Sequence, residues 1–427
     1  MSDRRPRGAG RRQVALAHHG RLRRSHGWTT VLKGLALGLA VVMVSAVAVV
    51  AITAWRITTG INTVNIGEGP VAAPPTIGAY PGGFNVLIVA NDTRTGQDAR
   101  YGKTESDLND VNMLLHVSAD HSRAIAVSIP RDTRVTIPDC VDENGNEVDG
   151  SRGVMINQAL SRGGLGCVVS TVEELTDLDI QFAGMITFKG VVELSNAVGG
   201  VPVCIDGPLV DRHSGINLPE AGTHVLAGEE AVAFLRTRYS VGDGSDLARN
   251  ASQRVYLSSL VRELKSADTL GDPLKVYQIA EVAIANMKVS ESLGNVNTMI
   301  SLAAALKDIP LHQVQFVQFP TEYSGGFSRL VPNSVLAGEL FDAIRSDAPF
   351  QLAAGETGKG AVADPKALAA ETSAPQTPQP ETSAPEPGGD ASPTPTPDAT
   401  TPPAGAPTVI DGLEGQTAAD HTCSATR

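Results

Sequence analysis

Residues 34–55 read GLALGLAVVMVSAVAVVAITAW, 22 positions without a single charge. At about 1.5 Å per helical residue such a run spans roughly the 30 Å of a bilayer core. Trp28 and Trp55 flank it, at the depth where indole rings favour the membrane interface. Nine of the chain's 34 Lys and Arg precede or border it in residues 1–33, beside one acid, Asp3. Excess positive charge before a span places the N-terminus in the cytoplasm and the bulk of the chain outside it. The run is longer than a usual signal-peptide core, and Ala46-Val47-Ala48 lies inside it rather than after it. An uncleaved anchor is therefore expected: a cytoplasmic basic tail at 1–33, a transmembrane helix at 34–55, and a single-pass protein in the cell membrane.

The net charge of −12 is the sum of that basic head and a much more acidic remainder. An acidic surface repels nucleic acid, so no nucleic-acid partner is expected. Residues 56–82 are small, polar and proline-bearing and read as a stalk. Twelve of the 27 prolines fall between Pro365 and Pro407, among Thr, Ser, Ala and Glu. That composition buries no core, so residues 347–427 read as a disordered tail, except that Val409–Arg427 regains apolar residues with which it could dock.

The folded part is then about residues 83–346. Phe84–Ala90, Val111–Val117 and Arg123–Ile129 are short apolar runs that read as strands, the last two joined by a turn at Ala119–Ser122. Val201–Ile205 and Gln313–Phe319 are further strands. Helical spacing marks Val168–Leu175, Val191–Val198, Leu226–Arg236, Ala251–Leu264 and Asn333–Arg345, and Gly199-Gly200 ends the second of these as a C-cap. Alternating strands and helices give an α/β class with a mixed central sheet covered by helices. Of the four cysteines, Cys140 and Cys167 bracket one loop-rich segment and are favoured as a pair. Cys204, in VPVCID, alternates like a strand residue and reads either as a buried thiol or as a disulfide partner; four cysteines, Cys423 included, allow three full pairings, and the sequence does not choose among them.

Charged residues gather where the strands end. Asn91-Asp92-Thr93-Arg94 follows the first strand and Asp107-Leu-Asn-Asp110 precedes the second. Arg131-Asp132-Thr133-Arg134 follows the third. Arg236-Thr-Arg238 and Asp246-Leu-Ala-Arg249 come later, with Gln253-Arg254 one turn on. Open sheets bind ligands at strand ends. Guanidinium forks fit phosphate oxygens, and nearby carboxylates suit Mg²⁺ shared with phosphates. There is no Walker A motif, no Gly-rich phosphate loop and no GxSxG. The set points to phosphoryl or pyrophosphate chemistry without an ATP-type site.

In order, the pieces FNVLIVANDTR, NDVNMLLHVSAD, SIPRDTRVTIP, INQAL, FKGVVELSNAVGGVPV, SGINLPEAGTHVLAGEEAVAFLRTRY and GSDLARNASQ resemble the LytR-CpsA-Psr family over nearly all of residues 84–264. The resemblance implies an extracytoplasmic α/β domain behind one span. It implies Mg²⁺-dependent transfer of a glycopolymer from a polyprenyl-pyrophosphate carrier onto peptidoglycan; the alternatives are pyrophosphate hydrolysis and a non-catalytic wall-binding role. It assigns Asp92 and Asp110 to the metal and Arg131, Asp132, Arg236, Arg238 and Arg249 to catalysis. Gln253 and Asp246 fall to substrate binding. Arg94 and Arg134 are further cations for the substrate, and Arg254 is a third candidate. Leu108 and Ser252 stand where the family often has arginine.

Overall fold

The structure is a computed structural model. It describes residues 62–67, 78–91, 108–266, 269–324, 329–353, 355–365 and 407–427, with Trp28. The apolar run 34–55, Asp92, Arg94 and the proline-rich stretch 366–406 lie outside the described residues. Among those described, no helix is long and apolar enough to cross a membrane.

Two larger sheets are built from β1 (Asn62–Val64), β2 (Phe84–Asn91), β3 (Asn109–Val117), β4 (Ala124–Ile129), β5 (Phe182–Thr187), β6 (Val201–Ile205), β7 (Gly222–Leu226), β8 (Met287–Ser290), β9 (Val314–Gln318), β10 (Ala361–Ala363), β11 (Gly415–Thr417) and β12 (Thr422–Ser424). The helices are α1 (Ala159–Thr176), α2 (Phe188–Val198), α3 (Gly228–Arg236), α4 (Asp246–Ser266), α5 (Pro273–Asn286), α6 (Val296–Lys307) and α7 (Ser334–Arg345). The main sheet runs β1-β8-β5-β2-β3-β4-β9-β11 and the smaller one β7-β6-β12-β10. Parallel pairs (β2 with β5, β4 with β9) flank antiparallel ones (β2 with β3, β3 with β4), so the mixed α/β sheet expected from sequence is present.

The period of two along each strand divides the core. Leu87, Val89, Leu114, Ile125 and Val127 face one way, against Val168, Val169 and Val172 of α1 and Leu340 and Phe341 of α7. Phe84, Val86, Met113, Val117 and Ala126 face the other, with Phe182, Val289 and Leu302. Helix ends follow local chemistry. The Thr187 side chain accepts from Gly190 N to open α2, and Gly199, at φ +93°, closes it in the left-handed region.

Three expectations need correction. The stalk is partly folded: β1 pairs with β8, and Ile66 and Tyr80 belong to the core. The tail is folded at both ends. Phe350–Leu352 pairs with Thr408–Ile410, β11 extends the main sheet beyond β9, and β12 lies between β6 and β10. Cys204 is not a thiol but is bonded to Cys423 in β12, while Cys140–Cys167 pairs as expected. The domain therefore runs beyond 83–346 in both directions.

The C-terminal segments lie along the back of α4. Ser252 Oγ is 2.8 Å from Ser424 Oγ, and Gln416 Nε2 donates to Ser258 Oγ at 2.7 Å. Arg262 Nη1 donates to the carbonyls of Ala418 and Asp420. Contact is so close at Gly360 that a Cβ there would lie 1.9 Å from the Ala248 carbonyl oxygen. Ser252, which stands at one of the two positions where arginine is often found in the resemblance, faces this C-terminal strand.

Candidate active site

A cavity of about 530 Å³ opens on the face of the main sheet that carries Val86 and Met113. Ile88 explains its floor. It sits on a central strand between buried neighbours, yet is 36% exposed, because it faces the cavity. Ile186, Val191, Leu194 and Val198 form one wall, and Val232 and Leu235 of α3 another. Along α4 the lining changes from Arg249 and Gln253 to Tyr256, Leu257 and Leu260 within about three turns. The cavity thus joins a charged region to an apolar one.

The charged region is assembled from strand and helix ends. Asp110 stands at the start of β3, beside an irregularity in the β2–β3 register at Ala90/Asn91. Buried Asn109 fixes this end of the strand: it donates to Asn112 Oδ1 at 2.6 Å and accepts from Leu160 N at 3.2 Å. Arg131 follows β4 and Pro130. Its Nη1 donates to Asp110 Oδ1 at 2.6 Å, and its Nε lies 3.7 Å from Asp132 and 3.4 Å from Asp246. Asp246 opens α4 and lies 2.6 Å from Arg249 Nη2.

Arg236 and Arg238 would point to different sides of a continuous helix. They both line the cavity because α3 ends at Arg236 and Thr237 is extended, at φ −65° and ψ 126°. Arg236 lies over the Phe188 ring, 4.7 Å from its centroid, and Arg238 Nε donates to Gly244 O at 3.2 Å. Gln253 Nε2 donates to Leu235 O at 2.9 Å and so ties α4 to α3.

Two of the proposed cations lie elsewhere. Arg134 Nη1 donates to Gly153 O, and the residue is not part of the cavity wall. Arg254 is completely buried behind α4, donating to Gln318 Oε1 at 2.7 Å and Thr357 O at 3.1 Å. Burial lowers its pKa to about 10, against the raising effect of Glu414. Asn109 and Phe188 position the site without any signal in the sequence. A strand-start asparagine and a helix-start phenylalanine look ordinary until the fold sets the first beside Asn112 and the second under Arg236.

The cluster leaves charge unmet. Arg131 Nε and Arg249 Nε and Nη2 lack a well-aligned acceptor, and neither oxygen of buried Asp246 receives a well-aligned hydrogen bond. Burial lowers the Arg249 pKa, Asp246 opposes that, and the nearby Arg131 and Arg238 add to it. Cations this close repel one another until an anion sits among them. Burial, then Asp246, raises the Asp132 carboxyl above the usual carboxylate range, against Arg131, Arg238 and Arg249. The folded state therefore binds the Asp132 proton more tightly than the unfolded chain, and ionising Asp132 costs stability as pH rises through its raised pKa. Asp132→Asn is expected to raise the melting temperature at pH 7, with the gain shrinking towards acid pH. A gain that is the same at both pH values would refute this.

Asp110 suits a metal. Its Oδ1 is taken by Arg131, and no hydrogen bond to Oδ2 exists among the described residues. Mg²⁺ needs only one or two carboxylates beside phosphates and waters. Among the described residues, the three metal-capable side chains that cluster, Cys204, Asp364 and Cys423, include the two sulfurs of a disulfide and so do not form a metal site.

The LytR_cpsA_psr family model matches residues 62–342, about two thirds of the chain. The chain belongs to the LytR_cpsA_psr family. It is 29% identical over 268 residues to "Cell wall biosynthesis protein LcpA" of Corynebacterium glutamicum, covering 57% of this chain and 51% of that one. It is 30% identical over 269 residues to "Probable cell wall biosynthesis protein LcpB" of the same organism, covering 61% and 58%. It is 29% identical over 231 residues to "Polyisoprenyl-teichoic acid--peptidoglycan teichoic acid transferase TagT" of Bacillus subtilis, covering 51% and 66%. The chain thus spans about half to two thirds of the length of these LytR_cpsA_psr relatives.

Proposed function

We propose that this LytR_cpsA_psr protein transfers a glycopolymer from a polyprenyl-pyrophosphate carrier onto peptidoglycan. One observation supports this above the others: a single cavity joins an arginine-rich end to an apolar end, matching the two halves of a lipid pyrophosphate. The polyprenyl chain lies along Ile88, Val191, Leu194 and Leu260. Arg131, Arg236, Arg238 and Arg249 hold the phosphates, and Gln253 bonds a phosphate oxygen. An acceptor sugar hydroxyl attacks the phosphorus nearer the glycan and gives up its proton to the departing phosphate. The bond to the carrier-side phosphate breaks, and polyprenyl phosphate leaves with the electron pair. The arginines stabilise the charge that develops. Asp132 lies beside Arg131 and off the cavity wall, which favours a role in orienting Arg131. Mg²⁺ at Asp110, with Asp92 as second carboxylate, would neutralise the pyrophosphate. Residues 34–55 anchor the protein in the cell membrane with this domain outside the cytoplasm.

The test is to incubate the protein with a polyprenyl-pyrophosphate-linked glycan, Mg²⁺ and peptidoglycan. Polyprenyl phosphate should appear together with glycan joined to peptidoglycan through a phosphodiester. Release without attachment would mean hydrolysis, and no release would end the enzyme reading. Ile88→Glu puts a charge on the apolar floor, where an unpaired carboxylate covered by a lipid tail costs several kcal/mol. It is expected to weaken lipid binding at least tenfold, as measured by co-purifying lipid, while keeping the fold.

A further inference from the structure

The cavity has another polar wall that the transfer chemistry leaves unused. Asp211, His213 and Tyr239 line it. Tyr239 is 55% exposed, and its ring lies 4.8 Å from that of His213, centroid to centroid. His213, whose side chain is 78% exposed, is held from behind by Asp211. The Asp211 Oδ1 accepts from His213 N at 2.8 Å and lies 3.3 Å from His213 Nδ1. The Asp211 side chain is only 2% exposed, and its Oδ2 has no hydrogen-bond partner. Tyr239 follows Arg238 directly, and the Arg238 guanidinium carbon is 5.6 Å from the Tyr239 centroid. The wall therefore adjoins the phosphate end of the cavity.

A single exposed tyrosine is common on a protein surface. This one is joined by a second ring, backed by a buried carboxylate with an unmet oxygen, and set in a cavity wall. An unmet buried acceptor costs about 1–3 kcal/mol, which a donor from a ligand recovers. A sugar ring fits all three features. Its C–H face packs on an aromatic ring, and its hydroxyls donate to a carboxylate. We propose that Asp211, His213 and Tyr239 form a subsite for a pyranose ring next to the reacting phosphates. This rests on the lipid-pyrophosphate reading of the cavity. The ring belongs either to the first sugar of the donor or to the acceptor.

The full-length protein in detergent is titrated with farnesyl pyrophosphate and with the same lipid carrying one N-acetylglucosamine. A soluble N-acetylglucosamine tetrasaccharide serves as the acceptor probe. If the sugar is the donor's, Tyr239→Ala and Asp211→Asn weaken the sugar-bearing lipid about tenfold and the bare lipid less than twofold, and Tyr239→Phe stays near wild type. If it is the acceptor's, the tenfold loss falls on the tetrasaccharide. Equal loss for both lipids, or no loss with any probe, overturns the subsite. A wild-type protein that binds neither lipid defeats the lipid-pyrophosphate reading separately. The subsite is then supported only if the tetrasaccharide binds wild type and not Tyr239→Ala.

Discussion

Arg249→Ala is expected to lower turnover by about 100- to 1,000-fold, the usual cost of removing one donor from developing oxyanion charge. It should also lower stability, because Asp246 is left buried without its 2.6 Å partner. Breaking a buried pair from one side costs about 3–5 kcal/mol. The two losses can be separated. Arg249→Met with Asp246→Leu removes both charges and should recover most of the stability without recovering turnover. If the double variant regains activity, Arg249 serves the fold alone. Product release and thermal melting, measured on the same preparations, decide this.

Replacing Cys204 and Cys423 with serine is expected to cost about 3–5 kcal/mol. The bond joins positions 219 residues apart, and the entropy lost by the unfolded chain grows with loop length. For a domain of this size that is a fall in melting temperature of roughly 10 °C. The structural reason is specific: β12 sits between β6 and β10, and Ser424 contacts Ser252 on α4. Loosening β12 also loosens the back of the helix that presents Arg249 and Gln253. A shift below about 2 °C would show that the strand pairing alone holds this segment.

The parts legible in sequence are those with a local signature. Phe84–Ala90 and Val111–Val117 are short, mostly apolar runs followed by polar residues, and Gly199 marks the end of α2. Arg249 and Gln253, four apart, share a helix face and both reach the cavity. What the sequence hides is set by distant contacts. β11 and β12 are three residues each, too short for a period to emerge. The partner of Cys204 depends on where the last strand docks. Arg254 lies one position beyond Gln253, which turns it to the rear of α4 and towards Gln318. Helix α5 is absent from the sequence reading although its start is signalled: Asp272 caps it, accepting from Leu274 N, and Pro273 follows at the first turn.

The bond between Cys204 and Cys423 closes the intervening chain into a covalent ring, and residues 366–406 lie within that ring. A protease that cuts there produces a nick, not a release. The terminal piece stays attached through sulfur, and the intact mass is preserved on a non-reducing gel until a thiol is added. Under oxidising conditions, where disulfides persist, the fold behind α4 can outlast the continuity of its own backbone.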